Sequence, residues 1–122
     1  MATLIKLYPA AEYFGERGKI LVNLKKFRSA ITDFNEALAL EPRNNEYLAM
    51  RGYCFGMLSD YSKADLDFLS SKLVDDSNGK LYQYIGEIEL KKGNIDKACE
   101  NFKLADKMGV RDNGFLASCK ND

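Results

Sequence analysis

The chain has 122 residues, of which 46% are hydrophobic and 30% charged, and eighteen basic residues balance eighteen acidic ones. This length suits one domain or a short array of small units, and the zero net charge disfavours a general attraction to nucleic acid or to a membrane surface. Because the chain contains no histidine, it cannot by itself form a Ser-His-Asp triad, a Cys-His dyad or a histidine zinc site.

The first ten residues do not resemble an export signal. Leu4, Ile5 and Leu7 form a short apolar run, but Lys6 interrupts it and no cleavage motif follows. The other apolar runs are also too short to span a bilayer. We therefore expect no membrane insertion and take the cytoplasm as the default compartment.

Three kinds of position then recur along the chain with a constant spacing of 34 residues. They are Gly18, Gly52 and Gly86; Ala30, Ala64 and Ala98; and Phe34, Phe68 and Phe102. A three-fold period without gaps indicates an array of one structural unit, and it favours a binding function over catalysis.

Each 34-residue block is predicted to fold as two helices joined by a polar turn. In the second block, helical spacing runs from Leu48 to Phe55, and Ser59-Asp60 supplies a break and an N-cap before a second helix from Tyr61. The recurring small residues should let the two helices approach closely, with the phenylalanines filling the space around the crossing. Gly56 is expected to face the groove of the array and not the crossing, so Gly56→Leu should be tolerated far better than Gly52→Leu.

An arginine and an aspartate also recur together in the first two blocks. Arg17 is accompanied by Asp33 and Arg51 by Asp67, whereas the third block has Ile85 and Asn101 at these positions. Joint presence and joint loss predict an ion pair, formed either within a block or from Asp33 to Arg51.

The block pattern resembles the tetratricopeptide repeat over residues 11–112. The resemblance implies an all-α fold, an α-α superhelix (solenoid) of three antiparallel helix pairs plus a capping helix. We place the repeats at 11–44, 45–78 and 79–112 and the C-terminal cap at 113–122. The chain departs from the family pattern because Phe14, Leu48 and Tyr82 replace its tryptophan, and because the proline that ends a repeat occurs only at Pro42.

The resemblance also implies that the concave groove formed by the first helices binds an extended peptide or a partner helix. The groove positions are Glu16 and Lys19; Glu46, Met50, Tyr53 and Met57; and Lys80, Gln83, Tyr84, Glu87 and Lys91. Tyrosine and methionine are typical of exposed binding surfaces. Alternatively, Met50, Met57 and Tyr84 pack between adjacent first helices, which helical spacing alone does not distinguish.

These features predict a non-catalytic adaptor or scaffold that binds a protein or peptide and needs no cofactor or metal. The alternative is a structural module that self-associates through the ends or the convex face of the array and so forms a homo-oligomer. The groove mixes glutamates with lysines, so nucleic acid is not an expected partner.

One subclass of the family grips the C-terminal carboxylate of chaperones with lysine, asparagine and arginine side chains. The matching positions here are Gly15, Lys19, Met50, Lys80 and Tyr84. Only Lys80 agrees with that subclass, and a desolvated carboxylate needs charged or amide donors. We therefore do not expect the chain to bind a chaperone carboxylate.

The three cysteines lack a Cys-x-x-Cys motif, which disfavours a thiolate metal site. Cys54 is predicted to be a small core residue. Cys99 lies in the last repeat and Cys119 in the cap beside it, so a disulfide could join them. Without a visible export signal we expect two separate reduced thiols, whereas a bond would indicate an exported protein.

Overall fold

The structure, a computed structural model, describes residues 10–111 and 114–119. It contains α1 (Ala10–Asn23), α2 (Phe27–Leu40), α3 (Asn45–Met57), α4 (Tyr61–Val74), α5 (Gly79–Lys91), α6 (Ile95–Lys107) and a 3-10 helix (Phe115–Ser118). No β-strand occurs in these ranges, which confirms the predicted all-α class. No helix among the described residues has the length and apolarity needed to cross a bilayer.

The six α-helices form three antiparallel pairs, α1–α2, α3–α4 and α5–α6, stacked in chain order. The two junctions between pairs differ. Helix α3 lies mainly against α2 of the preceding pair, whereas α5 lies mainly against α3 and has little contact with α4. The first helices α1, α3 and α5 follow one another along the array, as the superhelix requires.

Short polar side chains begin several of the helices. The side-chain amide oxygen of Asn44 accepts a hydrogen bond from the Tyr47 backbone amide (2.9 Å), and the carboxylate of Asp60 accepts one from the Lys63 backbone amide (3.4 Å). The predicted N-cap at Asp60 is therefore confirmed. No side chain caps α2 or α6, whose N-cap residues are Lys26 and Asn94. Lys26 differs from Asn94 because its side chain has no acceptor with which to cap a helix.

Each pair is held at a crossing between the recurring glycine and the recurring phenylalanine. A Cβ atom built on Gly18 would lie 2.7 Å from Cε1 of Phe34, and one on Gly52 would lie 2.8 Å from Cε1 of Phe68. The same distance is 2.8 Å from Gly86 to Phe102. These separations leave no room for a side chain, so the close approach predicted from the repeat is confirmed.

The sequence predicted that Gly56 faces the groove with room for a larger side chain, but the structure closes this position. A Cβ atom at this position would lie 2.6 Å from Cδ1 of Ile88 on α5. Gly15 is similarly closed by Tyr47 of α3. Both glycines therefore serve the contacts between neighbouring first helices, and the expectation that bulk is tolerated at Gly56 is wrong.

The arginine–aspartate pairs form within each repeat and use two hydrogen bonds apiece. Arg17 donates from Nε and Nη2 to Asp33 at 2.7 and 2.8 Å, and Arg51 donates to Asp67 with both distances at 2.8 Å. Arg51 also donates from Nη1 to the Asn35 side chain of the preceding repeat (2.9 Å). The predicted ion pair is thus confirmed, whereas its variant from Asp33 to Arg51 is not formed.

The C-terminal segment packs on α6 through an aromatic contact and a disulfide. The rings of Phe102 and Phe115 have centroids 5.3 Å apart. Cys99 and Cys119 are bonded, with their Cα atoms 5.7 Å apart. The expectation of two separate thiols at these positions is therefore wrong. Of the predicted cap at 113–122, residues 113 and 120–122 lie outside the described residues.

Cys54 is fully buried and free, as predicted. Burial raises the pKa of its thiol to about 12. It therefore stays protonated at neutral pH and behaves as a small apolar side chain.

We expect Gly52→Leu and Gly56→Leu both to destabilise the protein, because each new side chain collides with a buried neighbour. Overpacking of this kind costs about 1–3 kcal/mol or more. Thermal melting followed by circular dichroism measures the effect. Ala39→Leu, at an exposed position of α2, is the matched control and should melt close to the unsubstituted protein. A melt of the Gly56 variant that matches this control would contradict the contact with Ile88.

We expect Asp67→Ala to lower the free energy of unfolding by about 2 kcal/mol or more, because it leaves a largely desolvated guanidinium without its partner. The Asp67 side chain is 8% exposed and that of Arg51 is 23% exposed. Urea denaturation measures the loss. Asp65→Ala, two residues earlier and exposed, should have little effect.

A double-mutant cycle then isolates the pair itself. We expect a larger coupling for Arg51 with Asp67 than for Arg17 with Asp33, since the Arg17 side chain is 50% exposed and more strongly screened. Equal or absent couplings would show that the recurring charges do not act as pairs.

Candidate functional site

All eleven predicted groove residues lie on the three first helices. Glu16 and Lys19 are on α1; Glu46, Met50, Tyr53 and Met57 are on α3; and Lys80, Gln83, Tyr84, Glu87 and Lys91 are on α5. Met50 is an exception in its burial, because it is only 7% exposed and belongs to the core cluster with Phe34 and Tyr47. It therefore packs between helices, as the alternative interpretation had it.

Two side-chain bridges cross the groove from one first helix to the next. The ammonium group of Lys19 lies 2.9 Å from the Glu16 carboxylate and 3.0 Å from that of Glu46. Partial burial disfavours its charge, but the two carboxylates outweigh this effect and raise the pKa of Lys19. The α1–α3 bridge therefore joins two negative charges to one positive charge.

The second bridge joins α3 to α5 through an aromatic pair. The Tyr53 hydroxyl donates to the Glu87 carboxylate (3.1 Å), and the Tyr53 and Tyr84 ring centroids are 5.0 Å apart. Burial raises the pKa of Glu87, partly offset by the bond from Tyr53 and by the charges of Lys80 and Lys25. Burial likewise raises the pKa of Tyr84 to about 12. Both tyrosines are neutral at physiological pH, so they present rings and hydroxyl groups.

A cavity of about 300 Å³ opens beside this aromatic pair, at the start of α3 and α5. It is lined by Asn45, Glu46, Ala49, Asp75, Asn78, Lys80 and Tyr84. The predicted groove residues Glu46, Lys80 and Tyr84 are therefore brought together. Two carboxylates face one ammonium group, so the cavity carries an excess negative charge.

Asn45, Asp75 and Asn78 also line the cavity but were not among the predicted groove positions. Asn45 begins α3, whereas Asp75 and Asn78 belong to the polar turn before α5, where the sequence pattern indicates only chain reversal. Asp75 accepts hydrogen bonds from the backbone and hydroxyl of Ser77, which lower the pKa of its carboxyl group. Its charge in the cavity follows from this local turn and has no signature in the helical periodicity.

Lys91 and Gln83 are placed away from the cavity. Lys91 donates to the Ser59 hydroxyl (2.8 Å) and to the Tyr61 hydroxyl (3.2 Å), which puts it at the turn of the second repeat. The side-chain oxygen of Gln83 is buried and has no hydrogen-bond partner among the described residues. The described residues also contain no cluster of His, Cys, Asp or Glu side chains able to hold a metal ion.

Comparison with known proteins identifies relatives built from the same repeat. The family model described as "Tetratricopeptide repeat" matches residues 11–44. The chain is 32% identical over 95 residues to BBSome complex member BBS4 of Mus musculus, and 30% identical over 111 residues to Tetratricopeptide repeat protein 13 of Homo sapiens. These alignments cover 78% and 90% of the chain. The chain spans 18% and 13% of the length of these two relatives.

A solved structure shares the fold. The structure titled "Arabidopsis OM64 TPR domain" superposes with a TM-score of 0.72, at 24% sequence identity. The match covers 85% of this chain and 86% of that one. The stacked helix pairs are therefore a known arrangement.

Proposed function

We propose that this chain, which belongs to the tetratricopeptide repeat family, is a non-catalytic adaptor that binds a partner protein's extended segment in its concave groove. Protein–protein interaction is the general role of the family. The observation that supports this groove as the site is the cavity beside Tyr53 and Tyr84, where rigid aromatic surface adjoins charged groups. Such a combination suits peptide recognition, because aromatic rings supply contact area and the charges supply orientation.

The charges that line the cavity indicate which chemical groups of a bound segment it recognises. Two carboxylates, those of Glu46 and Asp75, line the cavity with the single ammonium of Lys80. Glu46 already pairs with Lys19 and Asp75 with Ser77, so each carboxylate offers its remaining acceptor sites to a ligand. We infer that a lysine or arginine side chain, or the backbone amides of an extended segment, binds between the two carboxylates. The bridges at Lys19 and Tyr53 hold the flanking helices in place beforehand, which lowers the entropic cost of binding.

The relatives support a role within an assembly. By its name, BBS4 is a member of a protein complex. We propose that this chain likewise connects proteins. Affinity capture from the native cell would identify its partner.

Peptides selected from a random library on the immobilised protein provide ligands for a direct test. We expect Glu46→Lys and Lys80→Glu each to weaken their binding about tenfold or more, or about 1.4 kcal/mol. Each substitution reverses a charge that lines the cavity. Fluorescence anisotropy measures the affinity, and circular dichroism confirms that each variant is folded. Glu36→Lys, exposed on α2, is the matched control. If both cavity variants bind the peptides as tightly as the unsubstituted protein, the groove cavity is not the binding site.

Self-association is the second candidate, and one observation favours it. Leu66, Leu69 and Leu73 form an exposed stripe on α4, with 65%, 53% and 76% of their surfaces accessible. Light scattering on the purified chain separates the two candidates. A monomer at working concentration agrees with the adaptor, whereas a dimer that Leu69→Glu dissolves would establish the structural module instead.

We further propose that the native protein works in an oxidising compartment, because disulfides such as Cys99–Cys119 persist there and are rare in the cytosol. Alkylation of the unreduced native protein followed by mass spectrometry tests this proposal. We expect one alkylated residue, Cys54 after unfolding, and a linked Cys99–Cys119 peptide. Three alkylated cysteines would instead show that the bond is absent in the native protein and would indicate a reducing compartment.

A further inference from the structure

A second concave surface lies at the opposite edge of the array, where the turns of the first two repeats meet. It consists of two adjoining cavities of about 270 and 340 Å³, which share Arg28 and Leu58 as a common wall. Lys25 and Lys26 line the first cavity, and Lys63 lines the second. We call this surface the basic depression. It has no lining residue in common with the cavity of the groove.

The floor of the basic depression is apolar. Ile31, Phe55 and Leu58 line it and keep part of their surfaces accessible. The Phe55 ring is already covered by cations, with Lys63 Nζ at 5.5 Å and the Arg51 guanidinium at 5.9 Å from its centroid. The floor can therefore receive an apolar side chain, and the partly exposed Phe27 ring, which lines the first cavity, adds to its apolar surface.

The rim of the depression concentrates positive charge in a chain whose net charge is zero. Lys25, Lys26, Arg28 and Lys63 are opposed by one carboxylate, that of Asp60, which leaves three positive charges. Asp60 lies 3.9 Å from Lys63 Nζ. No carboxylate among the described residues lies within salt-bridge distance of Lys25, Lys26 or Arg28. Three cations of the rim thus remain available to a ligand.

Comparison of the three repeats shows that these cations work against local stability. Residues 25–28 read Lys-Lys-Phe-Arg, where the equivalent positions read Ser-Asp-Tyr-Ser at 59–62 and Gly-Asn-Ile-Asp at 93–96. Lys25 has φ +61°, a left-handed conformation in which the third repeat uses Gly93. Lys26 cannot cap α2 as Asp60 caps α4, and the helix dipole disfavours positive charge there.

Residues that break local folding rules without a compensating contact are typical of functional surfaces. We propose that the basic depression docks an acidic linear segment of a partner protein. In this arrangement the aspartate or glutamate side chains of the segment pair with Lys25, Lys26 and Arg28, and one apolar side chain enters the floor beside Leu58. Arg28 suits this role because its planar guanidinium binds a carboxylate through two hydrogen bonds.

The shape and chemistry favour a peptide over other anionic partners. A bilayer surface does not enter cavities, and a nucleic acid has no aliphatic side chain for the floor. Because the surface lies outside the groove's cavity, the same chain could hold two segments of a partner, or two partners. Lys25 also lowers the pKa of the groove residue Glu87, so its charge acts on the groove and the two surfaces must be tested separately.

The test uses a short fluorescein-labelled peptide of aspartates around a single phenylalanine, titrated into the whole chain. The decisive variant is Lys25→Gly with Lys26→Asp, which gives the first repeat the turn residues of the other two. We expect this variant to bind the peptide at least tenfold more weakly and to melt at a higher temperature. Loss of binding together with gain of stability excludes misfolding as the cause.

Two controls separate charge from stability. Ser59→Gly relieves the equivalent positive φ in the second repeat and removes the hydroxyl that accepts from Lys91. It changes the stability of a turn without changing a charge, so it should leave the peptide affinity unchanged. Lys97→Asp removes a cation from the equivalent turn region of the third repeat and should also leave the affinity unchanged. If Lys97→Asp weakens peptide binding as much as the Lys25–Lys26 variant does, the effect is one of overall charge and the proposed site is wrong.

The remaining outcomes also decide. Unchanged affinity in the Lys25–Lys26 variant would overturn the proposal, and so would tighter binding of single-stranded RNA or of phosphatidylserine vesicles than of the peptide. Peptide binding that is lost in Glu46→Lys but kept in the Lys25–Lys26 variant would assign the peptide to the groove. Conversely, if the Glu46 and Lys80 variants do not weaken the binding of the selected peptides, the groove is excluded as their site. The proposal for the basic depression does not depend on that result.

Discussion

The architecture depends on one steric constraint, the fit of a large side chain against a glycine on a first helix. Within each pair the phenylalanine of the second helix occupies the space that a Cβ at the glycine would need, as Phe68 does at Gly52. Between pairs the same device recurs, with Tyr47 against Gly15 and Ile88 against Gly56. Since glycine alone permits this approach, the positions of the first helices, and with them the curvature of the groove, follow from where glycines occur.

Polar side chains add direction to this packing. Arg51 binds Asp67 in its own repeat and Asn35 in the preceding one, so a single guanidinium ties a pair internally and to its neighbour. The groove bridges at Lys19 and Tyr53 act similarly between first helices. The proposed binding surface is thus made of groups already held in place, which is the condition under which a small cavity binds with useful affinity.

The zero net charge of the chain conceals surfaces of opposite sign. The groove cavity has a negative excess around Glu46 and Asp75, whereas the basic depression has a positive excess around Arg28. Exposed charges act over about 10 Å at 0.1 M salt, so local groupings decide which partner is attracted. The balanced composition argues only against long-range attraction, and it is compatible with two distinct docking surfaces.

The sequence by itself determined the repeat, the helix pairs and the Gly52–Phe68 crossing, because each depends on spacing within one 34-residue unit. It also predicted an arginine–aspartate ion pair, but the structure decided that Arg51 pairs with Asp67 of its own repeat. The tertiary structure alone decided how neighbouring units meet. It buried Met50, closed Gly56 against Ile88, joined Cys99 to Cys119 and assembled the cavities from turn residues such as Asp75. Helical periodicity assigns a residue to a face of its own helix, whereas the partner of that face is set by the rotation between successive pairs, which no local pattern encodes.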